Sequence, residues 1–329
     1  MKKIGINGFG RIGRGFARIA LLDPSIEVCL VNDLADLETL AHLLKYDSIH
    51  GSLKLSFTQE GDSLFFENGK RIYFTQIKNA SEIPWKSYDV ETVIESTGVN
   101  LTKEKAGEHL LAGAKKVIIS APASSEDIPT VVLGVNDHSV DYGVKILSNA
   151  SCTTNNAAPL ISVLMSLLKI DVAYISTIHS YTSDQRLHDA PHKDLRRARA
   201  AAHSIVPTST GAAKAITKIF PELEGKITGG SVRVPVIDGS MTELTVFTSS
   251  AITVEQINAA MKSAANGALK GILAYTEDPI VSADIIGHPA SCIFDADLTM
   301  VFNNLVKVVA WYDNETGYAN RLVELAKRY

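Results

Sequence analysis

Ile6-Asn7-Gly8-Phe9-Gly10-Arg11-Ile12-Gly13-Arg14 stands almost at the start of the chain. Residues 3–7 before it are apolar enough for a short buried strand, and residues 14–22 after it carry helical periodicity. A GxGxxG pattern between a strand and a helix has a physical reading. The first glycine permits a tight turn, the second lets a pyrophosphate approach the backbone, and the third lets helix and strand pack closely. The next apolar run, residues 26–32, ends in Asp33. An acid about 20 residues past the glycines is where such a fold holds the ribose hydroxyls. Asp33 also fits a helix N-cap or turn. As a ribose ligand it would repel a 2′-phosphate, since like charges a few Å apart cost about 1–4 kcal/mol. The expected cofactor is therefore NAD rather than NADP.

The strand–helix rhythm continues from there. Residues 37–45 look helical. Residues 64–74 form a hairpin pattern turning at Asn68-Gly69. Residues 90–95, 116–120, 131–135 and 144–147 read as further strands, with a helix over 103–112. Thr97, Gly98 and Ser120 follow strand ends, where open α/β sheets bind ligands. Each is also ordinary turn chemistry.

A second stretch, Ser148-Asn149-Ala150-Ser151-Cys152-Thr153-Thr154-Asn155, lies between a strand-like run and an Ala/Leu-rich helical pattern over 157–168. That places Cys152 near a helix N-terminus, where free N–H groups and the dipole favour a thiolate and lower its pKa. A cysteine there fits a core position equally well. His179 ends the strand pattern 173–178. A lone histidine is usually structural or solvated, but a Cys–His pair in space is the usual activating arrangement. Residues 180–204 are charged and aperiodic, and include Thr182, Asp184, Arg186, Lys193, Arg196, Arg197 and Arg199. They suit a solvated loop, a nucleic-acid patch or clamps for a phosphorylated substrate. Pro207-Thr208-Ser209-Thr210-Gly211-Ala212-Ala213-Lys214 opens a helix with hydroxyls and free N–H groups, an anion site in form.

The remaining second half offers strands at 226–234, with Arg233 near the end, and at 242–249, 290–294, 298–302 and 306–311. Thr253-Val254-Glu255-Gln256 is a capping box before a helix over 257–266. Asp313-Asn314-Glu315 heads the last helix. The expected fold class is α/β. It comprises a Rossmann-type dinucleotide-binding domain over 1–150 and an α+β catalytic domain over 151–314 with a mostly antiparallel sheet. The helix 315–329 is expected to pack back on the first domain.

Composition sets the outer limits. A chain of 329 residues, 46% hydrophobic and 21% charged, is an ordinary two-domain globule. A net charge of −4 argues against a chiefly nucleic-acid-binding or membrane-binding protein. Cys29, Cys152 and Cys292 include no CxxC, so neither a disulfide framework nor a zinc site is expected, and metal ligands are none. A reducing, cytoplasmic setting fits. The first residues lack a signal-peptide core, and the apolar run 160–168 is too short to span a bilayer.

The three motifs quoted above, with Trp311-Tyr312-Asp313-Asn314-Glu315, resemble the phosphorylating glyceraldehyde-3-phosphate dehydrogenases along essentially the whole chain. The segments His179-Ser180-Tyr181-Thr182 and Lys193-Asp194-Leu195-Arg196-Arg197-Ala198-Arg199 look like the bacterial and plastid branches. The resemblance implies catalysis by Cys152 and His179 on glyceraldehyde 3-phosphate and inorganic phosphate. It implies that Gly8, Gly10, Arg11, Ile12, Asp33, Thr97, Ser120 and Asn314 hold NAD. It implies Thr182, Asp184 and Arg233 on the substrate-phosphate side. Ser151, Thr153, Thr210, Gly211 and Arg197, or Arg199 in the same run, fall on the side of the attacking phosphate. A homotetramer is implied too. Residues 236–244 depart from the commoner family pattern, and Thr316 stands where a bulky residue is frequent. Ala190-Pro191 keeps the proline usual in NAD-using members. Three rivals stay open. Erythrose-4-phosphate dehydrogenase shares the fold but typically lacks the Ser-Thr-Gly loop, here Ser209-Thr210-Gly211. A cysteine hydrolase would need no dinucleotide. An RNA-binding side role would use the nucleotide cleft and residues 196–199.

Overall fold

The computed structural model describes residues 1–329 and divides into two compact units. One comprises Met1–Val131, Ser139–Ala150 and Ala319–Tyr329, and the other comprises Val132–His138 and Ser151–Tyr318. No helix is long and apolar enough to cross a membrane.

The first unit holds β1 (Lys2–Asn7), α1 (Arg11–Leu22), β2 (Ile26–Asn32), α2 (Leu37–Lys45), β3 (Phe57–Glu60), β4 (Ser63–Phe66) and β5 (Arg71–Thr75). Then come β6 (Thr92–Glu95), α3 (Lys103–Leu111), β7 (Lys116–Ile119) and β8 (Ile146–Ser148). They make one sheet in the order β3-β4-β5-β2-β1-β6-β7-β8. The five strands β2-β1-β6-β7-β8 are parallel neighbours. The hairpin adds antiparallel strands and then joins β2 in parallel through β5, with Leu30 opposite Tyr73. A parallel sheet covered by helices has buried strands, and Ile4, Ile6, Leu30, Val31, Val93 and Ile118 are fully buried.

The glycine loop turns the chain from β1 into α1. Gly8 has φ +92°, in the region that side chains disfavour, and a Cβ there would lie 2.7 Å from the Thr97 N. At Gly13 a Cβ would lie 2.2 Å from the Gly8 carbonyl oxygen, which is backbone and cannot swing aside. Gly13→Ala is therefore expected to lower stability by about 1–3 kcal/mol. It should weaken NAD binding at the same time. Chemical denaturation and an NAD titration of the variant check this, and an unchanged pair of values would contradict it.

The second unit holds α4 (Cys152–Leu167), β9 (Val172–Ser180), β10 (Val206–Thr208), α5 (Ala212–Ile219), β11 (Ile227–Val234) and β12 (Ser240–Phe247). It continues through α6 (Val254–Asn266), β13 (Leu273–Thr276), β14 (Cys292–Phe302) and β15 (Leu305–Tyr312). Its sheet runs β10-β11-β9-β12-β15-β14-β13. Four neighbouring pairs are antiparallel, while β9–β11 and β13–β14 are parallel. Helix α4 lies against β12, β14 and β15. This is why its side chains are buried from Thr153 to Ile161.

The last helix, α7 (Thr316–Arg328), starts where Asp313 Oδ1 accepts the N–H groups of Glu315 and Thr316 at 2.9 and 2.7 Å. From Ala319 onward it belongs to the first unit. There Lys116 Nζ donates to the Tyr329 carbonyl at 2.7 Å, and Tyr329 Oη donates to that of Val144 at 2.7 Å. Residues 131–135 do not form the expected strand. Val132 N donates instead to Asn136 Oδ1 at 2.8 Å, which closes a turn, and only Thr130 bridges to Ser148. The strands expected at 290–294 and 298–302 are one strand, β14, with a register shift between Asp295 and Met300.

Candidate active site

Ser148 ends β8, and Ala150 turns the chain with φ +55°, an uncommon value for a residue with a Cβ. Ser151 then caps α4 by accepting the Thr154 N–H at 3.1 Å. Cys152 is thus the first helical residue, and it keeps partial exposure. His179, 4% exposed near the end of β9, brings Nε2 to 3.5 Å from Cys152 Sγ. The structure brings the two together although they are far apart in sequence. Tyr312 meets the His179 ring edge-on, with centroids 5.8 Å apart, and accepts or donates to Thr153 Oγ1 at 3.0 Å. That packing fixes the ring plane.

The electrostatics differ from the simple helix-end expectation. Burial pushes the Cys152 thiol up from its ordinary value. Arg233 and the N–H groups of Thr153 and Cys152 pull it the other way without overcoming burial. The pull of Arg233 and of the N–H groups at the head of α4 is thus opposed by burial. Burial, reinforced by Arg233, pushes His179 down to about 3. With Nε2 3.5 Å from Sγ, the imidazole is placed to take the thiol proton at the moment of attack.

Asn314 is held next to the same strand ends. Its Oδ1 accepts from Ser180 Oγ at 2.8 Å and from Ser240 Oγ at 2.7 Å. Ser240 Oγ also accepts the Ser180 N–H at 3.1 Å, which directs its proton to Asn314. The oxygen side of the amide is thereby spent, and its NH₂ is left to donate to a ligand.

The charged segment after β9 is ordered by its own pairs. Arg197 ion-pairs with Asp184 and donates Nε to Thr208 Oγ1 at 2.7 Å. Its Nη2 lies 3.4 Å from the Ser209 carbonyl oxygen. Arg197 thus sits beside Ser209-Thr210-Gly211 at the head of α5, where Thr210 Oγ1 accepts the Ala212 N–H at 3.2 Å. Arg199 turns away to Asp189 at 2.9 Å and is 66% exposed. Thr182 N donates to Gln185 Oε1 at 2.9 Å. Arg233 reaches His179 rather than this cluster, with Nη1 2.6 Å from Nδ1.

In the other unit, the glycine loop fits a dinucleotide. A Cβ at Gly10 would meet nothing within 4 Å, so the start of α1 is open on that side. Gly10 is the N-cap of α1 and makes no side-chain cap, and a helix N-terminus favours an anion. Asp33 follows β2, and its carboxylate accepts the Phe9 N–H at 2.6 Å and the Ala35 N–H at 3.0 Å. The Arg11 guanidinium is committed to Asp47, with Nη2 at 3.1 Å from Oδ1. Ser120 follows β7 directly, and its N–H is bound to the Glu95 carbonyl at 2.9 Å.

Comparison with known proteins decides the family. The profile described as "Glyceraldehyde 3-phosphate dehydrogenase, C-terminal domain" matches residues 151–314, and "Glyceraldehyde 3-phosphate dehydrogenase, NAD binding domain" matches residues 2–103. The chain belongs to the glyceraldehyde-3-phosphate dehydrogenase family. Glyceraldehyde-3-phosphate dehydrogenase 1 of Bacillus cereus is 53% identical over 328 residues, covering 99% of this chain and 98% of the relative. The Geobacillus stearothermophilus enzyme is 53% identical, covering 98% and 97%. Glyceraldehyde-3-phosphate dehydrogenase 2 of Streptomyces avermitilis is 54% identical over the same shares. The chain is an NAD-dependent oxidoreductase with that family's two domains.

Within this dehydrogenase fold, several supporting residues escape a sequence reading. Glu95, 1% exposed at the end of β6, receives Thr97 N at 2.8 Å, Asn100 Nδ2 at 2.9 Å and Asn7 Nδ2 at 2.8 Å. It also meets His109 Nε2 at 2.8 Å. Trp85 Nε1 donates to His109 Nδ1 at 3.1 Å, which puts the histidine proton on Nε2, toward Glu95. Burial alone would raise the Glu95 pKa, but the bonds from His109, Thr97 and Asn100 hold it below the usual range. This buried carboxylate shapes the turn that carries Thr97 and Gly98. Ser180, Ser240 and Tyr312 are likewise invisible as site residues beforehand. The only signal for Ser180 and Tyr312 is their place beside His179 and Asn314 in the quoted motifs.

Proposed function

We propose that the chain oxidises glyceraldehyde 3-phosphate, with NAD and inorganic phosphate, to 1,3-bisphosphoglycerate. The observation that carries this reading is the 3.5 Å approach of His179 Nε2 to Cys152 Sγ at the first turn of α4. Cys152 Sγ bonds to the aldehyde carbon, the carbonyl pair moves to oxygen, and the thiol proton passes to His179 Nε2. The N–H groups around Cys152 hold the oxyanion of the resulting hemithioacetal. The hemithioacetal C–H bond then breaks and the oxyanion pair re-forms the carbonyl as a thioester, the hydride acceptor being what NAD would supply. Gly8, Gly10, Arg11, Ile12, Asp33, Thr97 and Ser120 would hold it, and Asn314 would receive the nicotinamide amide through its NH₂. A phosphate oxygen then bonds to the thioester carbon, and the C–S bond breaks to return the thiolate.

Two anion sites follow from this chemistry. Thr182 and Arg233 hold the substrate phosphate. Ser151, Thr153, Thr210, Gly211 and Arg197 hold the attacking one. Asp184 acts through Arg197, because a carboxylate next to a phosphate needs a cation between them. We read the working form as a cytoplasmic homotetramer.

Erythrose 4-phosphate oxidation, with water resolving the thioester, is disfavoured by Ser209-Thr210-Gly211 beside Arg197. Initial rates of NADH formation from both aldehydes, with and without phosphate, test the choice. We expect phosphate to be required and glyceraldehyde 3-phosphate to be preferred. Equal steady-state rates without phosphate would overturn the reading.

A further inference from the structure

One chain of side-chain hydrogen bonds joins the ends of four strands in the first unit. Asn7 ends β1, Asn32 ends β2, Thr75 ends β5 and Glu95 ends β6. Asn7, Asn32 and Glu95 are buried. Asn7 Nδ2 donates to Glu95 Oε2 at 2.8 Å, and Asn32 Nδ2 donates to Asn7 Oδ1 at 2.8 Å. Asn32 Nδ2 also donates to the Ile77 carbonyl at 2.9 Å. Asn32 Oδ1 accepts from Thr75 Oγ1 and from the Ile77 N–H, each at 2.9 Å.

The chain has a direction. Burial alone would raise the Glu95 pKa, yet its bonds hold the group below the usual range. An ionised carboxylate only accepts, so it demands the NH₂ of Asn7. Asn7 Oδ1 then faces Asn32 and demands its NH₂. That leaves Asn32 Oδ1 for the far end, where the Ile77 N–H, a backbone donor, demands an acceptor. Both ends set the same orientation, and turning either amide over would bring two donors together. The far end adjoins Asp33. Asn32 precedes it in the chain, and the Asp33 N–H donates to the Thr75 carbonyl at 3.1 Å.

We propose that Glu95 is a positioning residue for the adenosine half of NAD, acting through Asn7 and Asn32 on Asp33. The relay holds Asp33 and the chain after β5 in place before the cofactor arrives, which cuts the ordering cost of binding. This rests on the reading of Asp33 as a ribose ligand.

The probe is ADP-ribose, which carries the adenosine half without the nicotinamide, titrated calorimetrically into the full-length protein. Asn7→Leu cuts the relay at similar side-chain volume and should weaken binding about tenfold. Glu95→Gln should weaken it comparably, because its NH₂ must face a donor, either the Thr97 N–H or the Asn7 NH₂. In an Asp33→Ala background, Asn7→Leu should cost less than about twofold more. Losses that multiply in the double variant overturn the relay. Parental affinity in Asp33→Ala overturns the reading of Asp33 instead, and amide exchange then judges the relay. In the unliganded protein, exchange at Ile77, followed by mass spectrometry, should be slow and become at least about tenfold faster in Asn7→Leu. Rapid exchange at Ile77 in the parent protein overturns the proposal even if no variant folds, and unchanged exchange in Asn7→Leu overturns it too.

Discussion

Cys152→Ser turns over glyceraldehyde 3-phosphate at least about 10⁴-fold more slowly than the parent protein and binds NAD as before. The first part follows from the sulfur's role. A serine hydroxyl ionises far less readily than a thiol. His179, 3.5 Å from the sulfur, cannot make up that difference. The second part follows from where the proposed dinucleotide ligands are. Gly8, Gly10 and Asp33 belong to the first unit, and Cys152 to the second. NADH absorbance and an NAD titration read both quantities. A variant within about tenfold of parental turnover would remove Cys152 from the chemistry.

His179→Asn comes next in size, with kcat reduced about 10²–10⁴-fold. Asparagine keeps a polar side chain but cannot take the thiol proton. Alkylation of Cys152 by a neutral reagent at neutral pH should slow as well, because the imidazole no longer stabilises the thiolate. Unchanged alkylation would contradict the pairing. The same variant has a signature in stability. His179 is pushed down to about 3 in the folded protein, against its ordinary value of 6.5. As pH falls through 6.5, the unfolded chain takes a proton that the folded chain refuses until about 3. Stability is therefore lost as pH falls across that window, and none of this loss is present above it. His179→Asn should lose less stability than the parent between pH 7 and pH 4. Urea denaturation at the two values measures the difference.

Much of this architecture is legible in the residues, for local reasons. Gly8 takes a left-handed backbone, Gly13 packs on the Gly8 carbonyl and Gly10 leaves the start of α1 open, and a strand and a helix flank them as expected. The capping box of Thr253 and Gln256 is present at the start of α6. Asn68-Gly69 turns the hairpin between β4 and β5. What stays hidden depends on partners distant in sequence. β3 is short and largely exposed, and it becomes a strand because β4 pairs with it. Residues 131–135 have the composition of a strand, yet Asn136 captures the Val132 N–H and bends the chain. At the site, Cys152 and Asn314 stand out by motif, whereas Ser240 holds Asn314 from 74 residues away. The net effect of burial on Cys152 is likewise a property of the assembled unit. A helix N-terminus is visible in sequence, but the desolvation that opposes it is not.

The most direct test of the central claim is a rapid-mixing experiment on the parent protein with glyceraldehyde 3-phosphate and NAD but no phosphate. NADH formation and the intact mass of the protein are followed together. The account predicts a burst of one NADH per protein chain, then a stall. The mass should rise by one 3-phosphoglyceroyl group on the peptide containing Cys152, and added phosphate should restart turnover and discharge it. Steady NADH production without phosphate, or a burst with no adduct on Cys152, would contradict it.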